Sequence, residues 1–493
     1  MVQVVENQLP ARKWHDWYNP DDTPEEKKLI LKLDLLIVPY AFILYWVKYI
    51  DQANINNAYV SGMSDDLNFH GNQLVQFQTM STVGNVVGLL PFIYLFPRLP
   101  MHWLVPTLDL GWGIFTLLQY RAQSYGEVMA YRFIVALFEA SYFAGVHFVL
   151  GSWYKSHEIG RRGGMFYVGL TLGTLTASLL QAAATEHLDG VNGLAGWRWL
   201  FIINAIITLP LAFAGYFIWP GTPARPNKLF LSERELALAR SRLESEGARV
   251  DSVPFSWELV LRVFKNWRFY VVVFWDTLFF NTSANSAAFL LWIKSLHRFD
   301  TATMNNLAAI SPALGIFFVL IINFSADLWV SRATAITIAS AINLTAEIIL
   351  AVWDVPEAAK WFAFSVSYVA VAVSSVLYGW ANIILKDNVE ERALTLVIMT
   401  IIASSTNAWV PLLVYPTVEA PRYPKGYLYS AVMTFAMVIM TWIVFFLFGH
   451  SGEKRARKSA TQSIDEEPYS QPEIITNNEK APRESITVQG VVV

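Results

Sequence analysis

Runs of apolar residues close to 20 long recur along this chain, and that recurrence limits its possible folds more than any other feature. As an α-helix, such a run spans the ~30 Å hydrocarbon core of a bilayer. Reading the runs against the polar breaks predicts twelve spans, at about 33–58, 73–96, 103–120, 127–150, 164–184, 199–219, 269–293, 304–325, 333–353, 360–385, 394–415 and 427–448. Inside a bilayer each backbone N–H and C=O needs a partner within the segment or a closed barrel, so runs of this length read as helices. Composition points the same way. Of 493 residues, 54% are hydrophobic and 15% charged, against roughly 25% charged in an ordinary soluble domain. A soluble multidomain enzyme is excluded. The expected class is an all-α membrane protein.

Gaps between the spans are short except for 220–268, a charged stretch with a helical pattern in LSERELALARSRLESE that divides the spans six and six. The expected organisation is a cytoplasmic N-tail (1–32), a six-helix bundle (33–219), a cytoplasmic middle loop (220–268) and a second bundle (269–448). A polar tail (449–493), rich in Ser, Glu, Asn and Pro, reads as disordered and cytoplasmic. With the N-terminus inside, 27 of the 36 Lys and Arg fall on the inner side and eight on the outer side or at outer span ends, Lys48 among them. That bias predicts both termini in the cytoplasm. No apolar stretch with a small-residue cleavage site precedes Lys32, so the first span is expected to insert without being cleaved. A net charge of −3 gives no support to a nucleic-acid partner. The absence of cysteine removes disulfides and thiolate chemistry. Twelve helices in two pseudo-symmetric six-helix bundles fit the major facilitator fold, in which substrate sits near the midplane.

Ionisable residues inside spans cost at least ~2.5–3.5 kcal/mol on insertion scales and usually face a cavity or a partner. Span four holds two, Arg132 and Glu139, in YRFIVALFEASYFAG. Seven residues apart, they share a face about 10 Å apart along the helix. That is too far for a direct salt bridge and leaves room for an anion or a third charge. Span one offers Asp51 in YIDQANINNAYVSGM, beside Gln52, Asn54 and Asn57. Burial resists charging a carboxylate and a nearby guanidinium favours it. Glu139 and Asp51 are therefore candidate proton carriers, and Arg132 a candidate clamp for a substrate carboxylate. The competing reading is an ion pair that only fixes packing, or, for Asp51, a place at the water interface. Span seven carries Asp276 with Asn281 and Asn285 one turn apart, and span ten carries Tyr378, Trp380 and Asn382. Gln52, Asn54, Asn281, Asn285, Tyr378 and Asn382 are candidate polar contacts to substrate. Packing through interhelical hydrogen bonds is the alternative for the span-seven and span-ten residues. Prolines at 39, 91, 106, 210, 312 and 411 suggest kinks, and Gly84–Gly88 and Gly169–Gly173 suggest close helix contacts.

No G-x-x-x-x-G-K-[ST] phosphate loop, H-E-x-x-H or G-x-S-x-G pattern occurs, so neither an ATP-driven pump nor a hydrolase is supported. No enzyme activity, cofactor or metal is expected. Concentrative transport without an energy-converting domain draws on an ion gradient, and a protonatable carboxylate such as Glu139 is what a proton symporter requires.

Over about residues 33–448 the chain resembles the anion:cation symporters of the major facilitator superfamily. YIDQANINNAYVSGM is similar to the first-span D-R-x-N-x-x-N-A pattern of the fungal members. YRFIVALFEASYFAGVHFVLGSWYKSHEIGRRGGMF is similar to their R-F-x-x-G-x-x-E-A stretch and the S-W-Y and E…R…F segments after it. GWRWLFIINAIITLP, FIWPGTP, LSERELALAR, KDNVEERA and PTVEAPRYPKGY follow in the family's order. NNAYVSGMSDDL and the W-P-G-T-P exit of span six resemble the fungal pantothenate and vitamin H branch, beside allantoate and nicotinate permeases. The resemblance implies proton-coupled import of a small organic anion, a vitamin-like carboxylate such as pantothenate, at a fungal plasma membrane. It also implies that Asp51, Arg132 and Glu139 serve coupling and anion binding. A monomer is expected, with the lipid bilayer, protons and a small carboxylate as partners. Three positions depart from the family: Gln52 where a basic residue is usual, Asn204 for a glutamate in span six, and Ile383 for an acidic residue in span ten. At Gln52 one cationic contact is missing, which argues for a less acidic or amide-bearing substrate, and the three departures together argue against allantoate-type specificity. Proton-coupled export of a secondary metabolite is the alternative on the same scaffold, since sequence does not set direction. A non-transporting nutrient receptor is the alternative of another class, and the polar tail offers no structured domain for it.

Overall fold

The computed structural model describes Tyr18 and residues 22–449, apart from 97, 156–157, 160–161, 164, 166–167, 245–256, 284–286, 329 and 386–388. The tail after Gly449 and most of the N-tail lie outside the described residues. The first helix, α1 (Pro24–Ala58), starts at a capping box. Thr23 Oγ1 accepts the Glu26 N–H at 3.2 Å, the Glu26 carboxylate accepts the Thr23 N–H at 2.7 Å, and Pro24 has no N–H to leave unpaired. Polar helical turns therefore precede the apolar run. The first half continues with α2 (Gln73–Leu95), α3 (Met101–Leu118), α4 (Tyr125–Trp153), α5 (Gly169–His187) and α6 (Gly196–Ile218). A two-residue hairpin, Gly221–Thr222 against Arg225–Pro226, leaves the first half.

In the second half three helices come in two pieces: α7 (Trp267–Phe280 and Ala288–Ser295), α8 (Thr301–Ala308 and Ile310–Leu328) and α10 (Glu357–Val366 and Val369–Ile384). The others are continuous: α9 (Arg332–Val352), α11 (Val389–Val414) and α12 (Pro424–Val444). Residues from Phe445 form a separate unit, of which one π-helical turn, Phe445–Gly449, is described. The breaks are stabilised locally. At the end of the first α7 piece Asn281 Nδ2 donates to the Thr277 carbonyl at 2.7 Å and Thr282 Oγ1 to the Phe279 carbonyl at 2.7 Å, capping carbonyls that the helix leaves open. At the α10 break, Ser367 and Ser311 both donate to the Phe364 carbonyl.

Among the described residues, α1 to α12 fall on the twelve predicted spans, and eight of them are by themselves long and apolar enough to cross a membrane. The other four fall short for visible reasons. In α2, Gln78, Ser81, Thr82 and Asn85 dilute the apolar run, in α3 His102 and Asp109 do so, and in α5 a series of Thr and Ser. The fourth, α7, is interrupted. Large apolar side chains such as Trp103, Ile206, Phe213, Phe317 and Leu413 point outward from their helices. A surface of that kind belongs against lipid, and the chain is an integral, multi-pass membrane protein.

Both small-residue pairs mark close approaches. A Cβ on Gly84 would come 2.5 Å from the Phe133 carbonyl oxygen, and one on Gly88 2.6 Å from that of Leu137, so α2 lies almost backbone to backbone on α4. Gly169 and Gly173 do the same for α5 on α1, at Trp46. The two halves meet along α2 with α11 and α5 with α8. At the end where the α1–α2, α7–α8 and α11–α12 connections gather, hydrogen bonds join them. Asn305 Nδ2 donates to Ser61 Oγ at 2.9 Å, the Val75 N–H to Thr417 Oγ1 at 3.2 Å, and the Val418 N–H to Asn72 Oδ1 at 3.1 Å. Val60 and Leu74 of the first half pack there with Ala287, Leu290 and Leu291 of the second. At the opposite end the middle loop divides its allegiance. Its helix Glu233–Glu244 is tied to the first half by Arg242–Glu158 (2.8 Å) and Lys32–Glu235 (2.8 Å), and its helix Trp257–Lys265 leans to α11 through Arg262–Glu391 (3.8 Å).

Candidate substrate and ion site

Along α1, Lys48, Asp51 and Gln52 fall at offsets of three and four residues, which stacks them on one helix face. That face turns inward, and Asp51 is 0% exposed, enclosed by protein. Its Oδ2 lies 3.7 Å from Arg132 Nη1 of α4 and accepts the Trp112 indole N–H of α3 at 3.3 Å. Its Oδ1 accepts from Asn204 Nδ2 of α6 at 3.2 Å. One carboxylate thus ties four helices together. Arg132 is engaged on three sides, since Nη1 also donates to the Asp51 carbonyl at 3.4 Å and Nε to Ser81 Oγ of α2 at 3.2 Å.

Two turns along α4, Glu139 has a different environment. Its Oε2 accepts from Gln52 Nε2 at 3.0 Å, its backbone carbonyl accepts from Lys48 Nζ at 3.1 Å, and its Oε1 has no hydrogen-bond partner among the described residues. The third charge expected between Arg132 and Glu139 is therefore Asp51, and it sides with the arginine. Asn54, one turn beyond Asp51, is fully buried, and neither its amide nitrogen nor its oxygen has a partner among the described residues. It is the candidate contact whose hydrogen-bonding capacity stands open.

In the second half the candidates spread out. Asn281 sits at the α7 break, its amide nitrogen on Thr277 and Thr406 (2.7 and 2.9 Å) and its oxygen accepting from the Tyr429 hydroxyl at 3.0 Å, so its capacity is used in packing. Tyr378 donates to Asp276 Oδ2 at 3.1 Å and shares a 3.0 Å bond with Thr400. Asn382 is exposed and donates to the Tyr378 carbonyl at 2.9 Å. Asn285 lies outside the described residues. The structure therefore brings Asp51, Arg132, Gln52 and Glu139 together and leaves Asn281, Tyr378 and Asn382 elsewhere.

Lys48 was missed by sequence reasoning. Placed near a span end, it reads as a lysine whose charge reaches the interface, yet it is buried against α4. The available signal was its offset: three residues before Asp51 and four before Gln52, it belongs to the same face. Asp276, noted in span seven but not taken as a site residue, is a buried carboxyl whose Oδ1 has no partner among the described residues. Asp109 of α3, buried with Oδ2 equally unpartnered, completes the set. Near α1 the bundle thus encloses three carboxyl groups, Asp51, Asp109 and Glu139, and two cationic side chains, Lys48 and Arg132.

The family model described as Major Facilitator Superfamily matches residues 41–411. The chain is 39% identical over 457 residues to the vitamin H transporter of Saccharomyces cerevisiae, covering 90% of this chain and 77% of that one. It is 32% identical over 445 residues to the pantothenate transporter liz1 of Schizosaccharomyces pombe, covering 89% and 85%. Among solved structures, a bacterial homologue of the human lysosomal transporter Spinster, inward-facing and unoccupied, aligns with a TM-score of 0.58 at 14% identity over 86% of this chain and 97% of that one. A D-xylose–proton symporter aligns at 0.57 with 12% identity, over 82% and 97%. At these identities the structural likeness is one of fold.

Proposed function

Because the chain belongs to the Major Facilitator Superfamily, whose members here are transporters rather than enzymes, we propose that it imports a small vitamin-like carboxylate with protons by alternating access. Biotin and pantothenate are the cargoes to try first, since the relatives named for them match nearly the whole chain. Import at a plasma membrane, both termini in the cytoplasm and a monomeric working unit belong to the same proposal.

The observation that carries the coupling is Glu139. It is a buried carboxyl with one oxygen held by the neutral Gln52 amide and the other unpartnered among the described residues. Such a group can accept a proton without breaking an ion pair in direct contact. Asp51, by contrast, has Arg132 beside it. In this scheme Glu139 takes the coupling proton. A proton on Asp51, rather than on Glu139, would loosen Arg132, because Asp51 is the carboxylate that holds the guanidinium.

The test is uptake of labelled biotin and pantothenate, at acid and neutral pH, in yeast cells lacking carriers for them. Accumulation of one, stronger at acid pH and abolished by a protonophore, is expected. Glu139→Gln should keep exchange of substrate and lose pH-driven accumulation. If the protein reaches the surface and neither vitamin accumulates, the cargo assignment falls. An unchanged pH dependence in Glu139→Gln removes Glu139 from the coupling role.

A further inference from the structure

We propose that Lys48 is the cation that receives the substrate's carboxylate, with the Gln52 amide beside it as the second donor. This rests on the transport reading above and names a residue that the reading leaves unused. Arg132 would be the obvious ligand for an anion, but its charge is already met by Asp51, with Nη1 on that residue and Nε on Ser81. A guanidinium so compensated has less to gain from an incoming anion than a cation with no carboxylate in contact. Lys48 is placed differently. Its ammonium carries three N–H groups and, among the described residues, uses one of them, on the neutral backbone carbonyl of Glu139. Glu139 and Asp109 are near enough for their charge to be felt, yet neither comes within ion-pairing contact of it. A buried ammonium with two donors open and no carboxylate in contact is poorly compensated, and an incoming carboxylate supplies what it lacks.

The geometry gives the approach. Gln52 follows Lys48 by one turn, is only half-buried, and already directs its amide N–H to Glu139 Oε2 at 3.0 Å. A carboxylate entering beside Gln52 meets Lys48 Nζ on the same face of α1. A proton on Glu139 removes a negative charge close to Lys48 and so favours the arriving anion. Loading of proton and substrate then share one location, with Asp109 as the carboxyl that remains on the α3 side of the lysine. Arg132 and Asp51 in this view hold α1, α2, α3, α4 and α6 in register around that spot.

The experiment compares an acid with its uncharged analogue on the full chain in nanodiscs: biotin against biotinol, and pantothenate against panthenol. The wild type should bind the acid at least tenfold more tightly. Lys48→Met should bring the acid-to-alcohol ratio close to one by weakening the acid about tenfold more than the alcohol. Lys48→Arg should keep the preference, and Lys48→Met/Gln52→Arg, which returns the charge one turn along the same face, should restore it. A lysine that only supports packing would lower both affinities together and keep their ratio, which overturns the assignment. A Lys48→Met protein that folds and retains the wild-type ratio overturns it too. A folded wild-type chain that binds neither acid overturns the vitamin reading, and the assignment resting on it falls as well.

Discussion

A carboxylate shared by four helices makes Asp51 expensive to alter. Removing one partner of a buried ion pair typically costs about 3–5 kcal/mol, because the other charge is left without compensation. Asp51→Asn and Arg132→Met should each lower the melting temperature of the purified protein sharply. The double variant should lose less than the sum, since it leaves no orphan charge. Equal melting of Asp51→Asn and wild type would mean that the pair is not a structural unit. At Asn281 the stake is smaller: Asn281→Ala leaves the Tyr429 and Thr406 hydroxyls without that partner, at about 1–3 kcal/mol, and its destabilisation should appear without a change in substrate preference. These two sites also mark the limit of what the sequence discloses. Charges inside apolar runs stand out in any reading, which is why Asp51, Arg132 and Glu139 could be picked out before the structure. That Asp51 sides with Arg132 rather than Glu139 depends on how α1 is rotated against α4, which no spacing within either helix encodes. Lys48 was hidden because a lysine near a span end ordinarily carries its charge to the interface.

At the scale of helices, small residues decide how closely neighbours approach. A Cβ on Gly173 would press on the Trp46 carbonyl and on Tyr49, whereas one on Gly379 would meet nothing within 4 Å. Gly173→Ala should therefore destabilise by roughly 1–3 kcal/mol through overpacking. Gly379→Ala should be neutral or stabilise by up to about 1 kcal/mol through helix propensity. Thermal melts of the two variants beside wild type check both signs, and destabilisation by Gly379→Ala would contradict the open space at that glycine. The twelve helices were legible because a bilayer demands long apolar runs. The interruptions of α7, α8 and α10 were not. They fall at Asn281, Ala309 and Ser367; at the first and last a side chain turns back onto a carbonyl, and at Ala309 the backbone N–H is shared among the Asn305, Asn306 and Leu307 carbonyls. None of the three interruptions falls at one of the span prolines. Pro39, Pro91, Pro106, Pro210 and Pro411 all sit within helices that run on through them, and Pro312 stands at the start of the second α8 piece.

For the molecule as a whole, the arrangement of contacts between the halves carries the mechanical argument. Asn305–Ser61, Val75–Thr417 and Val418–Asn72 lie at one end, with the apolar cluster around Val60 and Leu290. At the other end the two middle-loop helices are each tied to a different half. Alternating access requires the joined end to part. The hydrogen bonds described there are uncharged, about 0.5–1.5 kcal/mol each in net terms, so modest differences in affinity between two states can shift the balance. A covalent link there should stop the cycle. The chain contains no cysteine, so an Asn72→Cys/Val418→Cys variant would carry one thiol pair, placed where a side-chain oxygen already meets the facing backbone N–H at 3.1 Å. Oxidation should form an intramolecular disulfide and abolish uptake, and reduction should return it, while each single variant stays active under the same oxidant. Full cross-linking with undiminished uptake would mean that this end need not open, and the alternating-access reading of these contacts would be wrong.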